Sequence, residues 1–106
     1  GDPSGRTPVN DVAACEGEFT VRHKLGLHAR PAGRFVALAS RFQAEIEVTR
    51  LGEPGESVNG RSVLSLLSLA AAFGTRLRVR ALGADAQSAV AALGQILEQP
   101  LEGDGG

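Results

Sequence analysis

The sequence contains no tryptophan, tyrosine or methionine, and its only aromatic residues are four phenylalanines. A chain with so few aromatic rings has no platform on which unpaired nucleic-acid bases could stack. The formal net charge is only -1, so the chain also lacks the excess of positive charge with which proteins bind phosphate backbones. These two absences argue against nucleic acid as a partner.

Cysteine is nearly absent as well. Cys15 is the only one, so no disulfide can form within the chain. We expect Cys15 to lie outside the regular elements, in a protein of the reducing cytoplasm. The two histidines, His23 and His28, have no cysteine or carboxylate near them that completes a metal-ligand spacing. We therefore expect no metal and no other cofactor, and interpret His23 as a solvent-facing residue at a strand end.

Long hydrophobic runs are missing too. The longest apolar stretch, residues 63–73, is interrupted by Ser65 and Ser68 and is far shorter than the roughly 20 residues that span a bilayer. No pattern typical of a signal peptide is visible. The sequence therefore predicts a cytoplasmic protein that does not insert into a membrane.

The chain that remains has 106 residues, 42% of them hydrophobic, which is enough for one small core. Residues 1–17 and 100–106 are rich in glycine and polar residues without apolar periodicity. These two segments are predicted to be flexible tails. We expect a single domain over residues 18–99.

Within that domain, the spacing of apolar residues predicts seven elements in the order βαββαβα. They are strands near 18–22, 45–49, 57–59 and 76–81 and helices near 29–41, 62–71 and 85–97, with a type II turn over residues 53–56. Each strand has one apolar face and needs cover on that side only. The pattern favours an α+β fold, an open-faced sandwich in which three helices cover one face of a four-stranded antiparallel sheet.

The opposite faces of these strands are charged. Arginines alternate with apolar residues in the fourth strand, and glutamates occupy the corresponding outward positions of two other strands. The residues concerned are Arg76, Arg78, Arg80, Glu18, Glu45 and Glu47. We interpret them as a solvated face of cross-strand ion pairs and not as a basic recognition surface.

The most informative stretch is Gly-Leu-His-Ala-Arg-Pro-Ala at residues 26–32, where the first predicted helix begins. Pro31 is tolerated there because first-turn residues have no intrahelical N–H bond to lose. His28 is therefore predicted at or next to the N-cap, where backbone N–H groups and the helix dipole favour a bound anion. A neutral imidazole can attack phosphorus, and the Arg30 guanidinium can bind phosphate through two parallel hydrogen bonds.

This stretch resembles the active-site loop of HPr, the family of histidine-containing phosphocarriers of the bacterial phosphotransferase system, and the resemblance extends over residues 18–99. It implies the same open-faced fold and a monomeric carrier that is not an enzyme. His28 would accept a phosphoryl group on its Nδ1 atom, and Arg30 would stabilise that group. The implied donor is phosphorylated enzyme I, itself charged by phosphoenolpyruvate, and the implied acceptors are sugar-specific IIA domains.

The second predicted helix is apolar over more than the ~100° stripe that a core-facing helix requires. Some of its apolar side chains should therefore be exposed. The expected core members are Leu66, Leu69 and Ala70, and the expected exposed members are Val63, Leu64 and Leu67.

The HPr resemblance implies that these exposed members form a partner-binding surface with the start of the first helix. This docking surface comprises Ala29, Gly33, Val63, Leu64 and Leu67. Gly33 stands where the family usually has alanine, a change that loosens the first helix by about 0.5–1 kcal/mol.

Ser62 precedes the second predicted helix, where serine is a favoured N-cap. A phosphate at this position would meet backbone N–H groups and the positive end of the helix dipole. Its position matches the serine that a dedicated kinase modifies in many HPr proteins. The resemblance therefore implies a regulatory site and an HPr serine kinase/phosphorylase as a further partner, whereas N-cap preference alone also accounts for the serine.

Two other function classes stay open. The first is a regulatory HPr paralogue of the nitrogen or catabolite-control branch, which acts mainly by binding partners. The second is a nucleotide-binding enzyme, because residues 55–62 fit the phosphate-loop pattern G-x-x-x-x-G-K-[ST] except that Arg61 replaces the lysine. A hairpin turn before this stretch, instead of a parallel strand, argues against the enzyme.

Overall fold

The computed structural model describes residues 13–52 and 55–100, and all seven expected elements are present in the expected order. They are β1 (Ala14–Thr20), α1 (Ala29–Ala39), β2 (Glu45–Arg50), β3 (Ser57–Asn59), α2 (Val63–Ser68), β4 (Arg76–Leu82) and α3 (Ala86–Glu98). The strands form one antiparallel sheet in the order β1-β4-β2-β3. The predicted open-faced sandwich is confirmed.

The core lies between the sheet and the three helices. Alternate residues of β2 and β4 point inward because successive side chains of a strand lie on opposite faces. Each helix contributes the apolar stripe along its core-facing side. The largest fully buried apolar side chains are Val21, Phe35, Val48, Leu66, Leu69, Leu77, Val79, Leu93 and Leu97. The core therefore fixes α1 and α2 on the same side of the sheet, where they also pack against each other.

The outer face of the sheet carries ion pairs of the β4 arginines, but their partners are Glu18, as predicted, and Glu16 of β1 instead of Glu45 and Glu47 of β2. Glu18 lies opposite Arg78 in the register, and its carboxylate is 3.3 Å from both the Arg76 and Arg78 guanidinium groups. Glu16 adds longer contacts to Arg78 and Arg80 at 3.9 and 3.8 Å. Hydrogen bonds from Arg76 and Arg78 hold the pKa of the Glu18 carboxyl below its ordinary value. These arginines are therefore engaged within the sheet.

The N-terminal boundary predicted from sequence is wrong. β1 begins at Ala14, so the last four residues of the predicted tail belong to the sheet, and Cys15 lies in a strand with a free thiol. The small residue Gly17 hides the alternation, and a Cβ there would lie 2.9 Å from the Phe19 ring. Pairing with the seven-residue β4 extends the strand. Residues 1–12 and 101–106, and residues 53–54 of the predicted turn, lie outside the described part of the chain.

His23 is also placed differently from the prediction. The side chain is fully buried, and its Nε2 atom lies 2.5 Å from the carbonyl oxygen of Ile96 in α3. His23 and Ile96 are 73 residues apart, so no local sequence pattern indicates their contact. The prediction of His23 as a solvent-facing residue is wrong.

Helices α1 and α2 are both shorter than predicted. α1 ends at Ala39, and α2 ends at Ser68, after which Ala70 adopts a positive φ of 52°. Leu66 and Leu69 are buried as expected, but Ala70 is exposed because the chain leaves the helix through this left-handed residue. The prediction of Ala70 as a core residue is therefore wrong.

None of the helices in residues 13–52 and 55–100 has the length and apolar character needed to cross a membrane. The same residues hold no group of three or more histidine, cysteine, aspartate or glutamate side chains arranged to bind a metal ion.

Candidate functional site

His28 is the N-cap residue of α1. Its backbone is extended, with φ −87° and ψ −171°, and its carbonyl oxygen accepts the N–H of Ala32 at 3.0 Å. The imidazole makes no capping hydrogen bond to the helix, so the helix start does not depend on this side chain. Pro31 lies buried in the first turn as predicted. A half-buried imidazole thus stands at the positive end of an eleven-residue helix.

The loop that leads to His28 is fixed by backbone hydrogen bonds. Leu27 donates its N–H to the carbonyl of Ala71 at 2.8 Å, and His28 donates its N–H to the carbonyl of Gly26 at 2.9 Å. Gly26 has a φ of +79°, and a Cβ on it would lie 2.6 Å from the Ala71 oxygen. The first glycine of the motif is therefore required both for its backbone conformation and for the close approach of the two chain segments.

Arg30 is exposed in the first turn of α1, at the same end of the helix as His28. Lys24 is exposed in the loop before this turn, and Arg34 is exposed in the turn after it. These three exposed cationic side chains thus lie within six residues of His28 in the sequence, which favours an anionic ligand or an anionic partner surface.

The five residues of the docking surface lie on two helices that pack against each other. Leu64 is 80% exposed, whereas Val63 and Leu67 are half-buried and pack against the core. On α1, Ala29 is exposed and Gly33 has no heavy atom within 4 Å of where its Cβ would be. The structure thus places these residues on two neighbouring helices and leaves only Leu64 as a large exposed apolar side chain among them.

Two further apolar residues near this surface were missed in the sequence. Leu25 is 69% exposed in the loop before α1, and Phe73 is 59% exposed in the loop after α2. Backbone hydrogen bonds hold these two loops side by side, from Leu27 to Ala71 and from Gly74 to Val21. Each of the two residues directly precedes a glycine in a turn. A large apolar residue at such a position, outside any regular element that would bury it, was the sequence signal for an exposed apolar side chain.

Ser62 is the N-cap of α2, as predicted, and its Oγ accepts the N–H of Ser65 at 3.1 Å. The neighbouring Arg61 guanidinium donates to the carbonyl oxygens of Phe42 and Ala44. Arg61 therefore links the start of α2 to the chain between α1 and β2 and does not extend into a phosphate-binding loop. Because β3 also runs antiparallel to β2, the nucleotide-binding alternative is excluded.

Comparison with known families agrees with this geometry. A sequence model of the family described as "PTS HPr component phosphorylation site" matches residues 15–99. The chain belongs to the HPr family. Membership of this family favours a phosphocarrier over the regulatory paralogue.

Individual HPr relatives cover nearly the whole described domain. The phosphocarrier protein HPr of Xylella fastidiosa (strain Temecula1) is 40% identical over 89 residues, which are 84% of this chain and 97% of that protein. The crystal structure of a phosphocarrier protein HPr from Bacillus anthracis str. Ames superposes with a TM-score of 0.74 at 35% identity, covering 80% of this chain and 98% of that one.

A second kind of relative is much longer. The multiphosphoryl transfer protein of Escherichia coli O157:H7 is 40% identical over 94 residues, which are 89% of this chain but only 24% of that protein. The chain therefore spans about a quarter of the length of this relative.

Proposed function

We propose that His28 is the phosphoryl-carrying residue, which takes the group from phosphorylated enzyme I and passes it to sugar-specific IIA domains. The observation that carries this proposal is the position of the half-buried His28 at the N-cap of α1. At this position the helix start supplies N–H dipoles for the phosphoryl oxygens.

The reacting atom in this proposal is Nδ1. The Nε2 atom of His28 is shielded from solvent although the residue as a whole is only half-buried, which favours Nδ1 as the reacting nitrogen. Its lone pair forms the bond to phosphorus while the bond between phosphorus and the donor breaks, and the electron pair of that bond stays with the donor. In the second transfer the acceptor attacks phosphorus, and the N–P electron pair returns to Nδ1.

Arg30 stabilises the phosphoryl oxygens during both transfers. The guanidinium can contact two oxygens at once, and its charge offsets the charge that accumulates on them as the bonds exchange. Because Arg30 is exposed, a phosphoryl group brought by a partner can reach its guanidinium. The other half of the site comes from the partner, so the domain acts as a covalent substrate of its partners.

The docking surface positions these partners over His28. Leu64 is the exposed apolar anchor, and the exposed side chains of Lys24, Arg30 and Arg34, each within six residues of His28 in the sequence, are cationic, which favours a partner whose surface is anionic. A phosphate on Ser62 would add about −1.5 to −2 charges beside Leu64 and oppose such a partner. We therefore assign Ser62 as a regulatory phosphorylation site for an HPr serine kinase/phosphorylase, in a monomeric cytoplasmic carrier.

The test of the carrier function is incubation with phosphoenolpyruvate and a heterologous enzyme I, followed by intact-mass spectrometry. We expect a mass gain of one phosphoryl group that is lost in acid. His28→Gln is the informative control because His23 is then the only histidine left, and it should abolish the gain. Absence of the gain in the wild-type chain, with enzyme I active on another HPr, would refute the proposal.

A further inference from the structure

His23 is the one polar side chain among the fully buried residues of the described chain, and the transfer chemistry at His28 does not involve it. Its Nε2 atom lies 2.5 Å from the carbonyl oxygen of Ile96. A carbonyl oxygen can only accept, so Nε2 carries the hydrogen and donates it. Burying a polar ring is costly unless it is hydrogen-bonded. The burial of His23 and its hydrogen bond to Ile96 therefore need a structural explanation.

The explanation begins at the C-terminus of α3. In a regular helix the carbonyl of Ile96 would accept the N–H of the residue four positions later, but that residue is Pro100, which has no N–H. His23 supplies the missing donor. The next carbonyl, that of Leu97, accepts the backbone N–H of Arg22 at 3.0 Å. The last turn of α3 is therefore capped by two consecutive residues of the loop that precedes α1.

From His23 the hydrogen bonds continue to the phosphoryl-carrying residue. The carbonyl oxygen of His23 accepts the N–H of Gly26 at 2.8 Å, and the carbonyl oxygen of Gly26 accepts the N–H of His28 at 2.9 Å. Each of these bonds closes a tight turn, so the position of His23 determines where the chain enters α1. His28 is an N-cap with extended backbone, and a displacement of this loop would displace its imidazole.

We propose that His23 is a positioning residue for phosphoryl transfer: by capping α3 through Ile96 it holds the turn from His23 to His28 and thereby aims the His28 ring. This inference rests on the proposed role of His28. Transfer requires the acceptor nitrogen in line with the bond that breaks, and misplacement by about 1 Å can cost about 100-fold in rate. A small movement of the loop therefore lowers the transfer rate without removing any group that touches phosphate.

The test compares three variants by two measurements. His23→Leu removes the donor, His23→Gln keeps an amide N–H at about the same distance from the backbone, and Glu98→Ala removes a different contact of the same helix end. Glu98 accepts the N–H of Thr20 at 2.8 Å and has no place in the turn that leads to His28. The measurements are the ring and amide NMR signals of His28 and the single-turnover rate of its phosphorylation by enzyme I.

We expect His23→Leu to shift the NMR signals of Gly26 and His28 and to lower the transfer rate about tenfold, with the KM for the carrier changed by less than twofold. His23→Gln should restore both readouts, and Glu98→Ala should leave both unchanged. Unmoved His28 signals in folded His23→Leu, or an equal rate loss in Glu98→Ala, would overturn the positioning role.

If His23→Leu does not fold, a variant that acts on the Ile96 carbonyl still tests the proposal. Pro100→Ala gives the Ile96 carbonyl a competing N–H donor from its own helix, so it should shift the His28 signals in a chain with an intact His23. Unchanged signals would count against the proposal. The NMR readout does not need enzyme I, so a wild-type chain that accepts no phosphate would refute the carrier function and still leave the effect of His23 on His28 measurable.

Discussion

The backbone N–H of Leu27 donates to the carbonyl oxygen of Ala71 across 2.8 Å, and this bond helps to join the loop before α1 to the chain that follows α2. The segment that enters α1 and the segment that leaves α2 thus meet at the residue directly before His28. The close approach depends on Gly26, because a side chain there would strike the same carbonyl oxygen. The position of the imidazole relative to α2 is therefore set by this contact between the two segments as well as by the N-cap of α1.

Gly26→Ala should disrupt this junction. The positive φ costs about 1–2 kcal/mol for a residue with a Cβ, and the clash with the Ala71 oxygen adds about 1–3 kcal/mol. Gly52→Ala is the matched control, because Gly52 also has a positive φ, of +99°, but open space around it. Urea unfolding should show the larger loss for Gly26→Ala, and only that variant should slow phosphorylation of His28. Equal losses for the two variants would mean that the contact with Ala71 is unimportant.

Asp85 predicts a pH dependence of stability. Its carboxylate accepts the backbone N–H of Gln43 and of Ala44 at 2.9 Å each, and these bonds, that from Gln43 first, hold the pKa of Asp85 below its ordinary value of 3.8. The lowered pKa means that the ionised form stabilises the fold. This contribution is complete above the unfolded-state pKa and is lost as the pH falls through the lower folded-state pKa.

The measurement is the free energy of unfolding of wild type and Asp85→Asn between about pH 6 and pH 2. The wild-type chain should be the more stable one at pH 6, and the difference should shrink as the pH falls below about 4. Glu18, whose pKa is lowered by Arg76 and Arg78, is present in both chains and cancels in the comparison. A difference that stays constant with pH would show that the charge of Asp85 contributes nothing.

The sequence predicted the parts of the molecule that depend on local signals. The N-caps at His28 and Ser62 follow from motif and residue preference, and the structure places both there. His23 and Ala70 were misplaced for a different reason. The hydrogen-bond partner of His23 is Ile96, 73 residues away in the sequence. Ala70 adopts a left-handed conformation at the end of α2, although alanine is not a residue type that favours this conformation.

Arg30→Lys tests the role of the guanidinium. The variant keeps the charge and should keep the fold, because Arg30 is exposed, but it cannot contact two phosphoryl oxygens with a planar group. We expect single-turnover phosphorylation of His28 to slow by about tenfold, corresponding to about 1.4 kcal/mol. Arg34→Lys, the same change at an exposed site one turn along α1, should have no effect. Equal rates for all three chains would reduce Arg30 to a surface charge.

Leu64→Glu tests the docking surface. Because Leu64 is 80% exposed, the free energy of unfolding should change by no more than about 0.5 kcal/mol, whereas binding to enzyme I should weaken by about 10-fold or more. Ala91→Glu adds the same charge at an exposed position of α3 and should leave binding unaffected. A large drop in the melting temperature of Leu64→Glu, or equal binding by both variants, would argue against the anchor role.

Ser62→Asp tests the regulatory site by its electrostatics. Aspartate is as good an N-cap as serine and can also accept the N–H of Ser65, so the fold should be retained. The added negative charge lies next to the docking surface, where cationic side chains favour an anionic partner, and it should slow association with enzyme I. The defect should diminish as salt is raised from low ionic strength to about 0.15 M, where the Debye length falls to about 8 Å. Ser88→Asp introduces the same charge in the first turn of α3, away from the docking surface, and should not slow transfer. If phosphorylation of His28 in Ser62→Asp proceeds at the wild-type rate at low salt, a charge at Ser62 does not regulate the carrier.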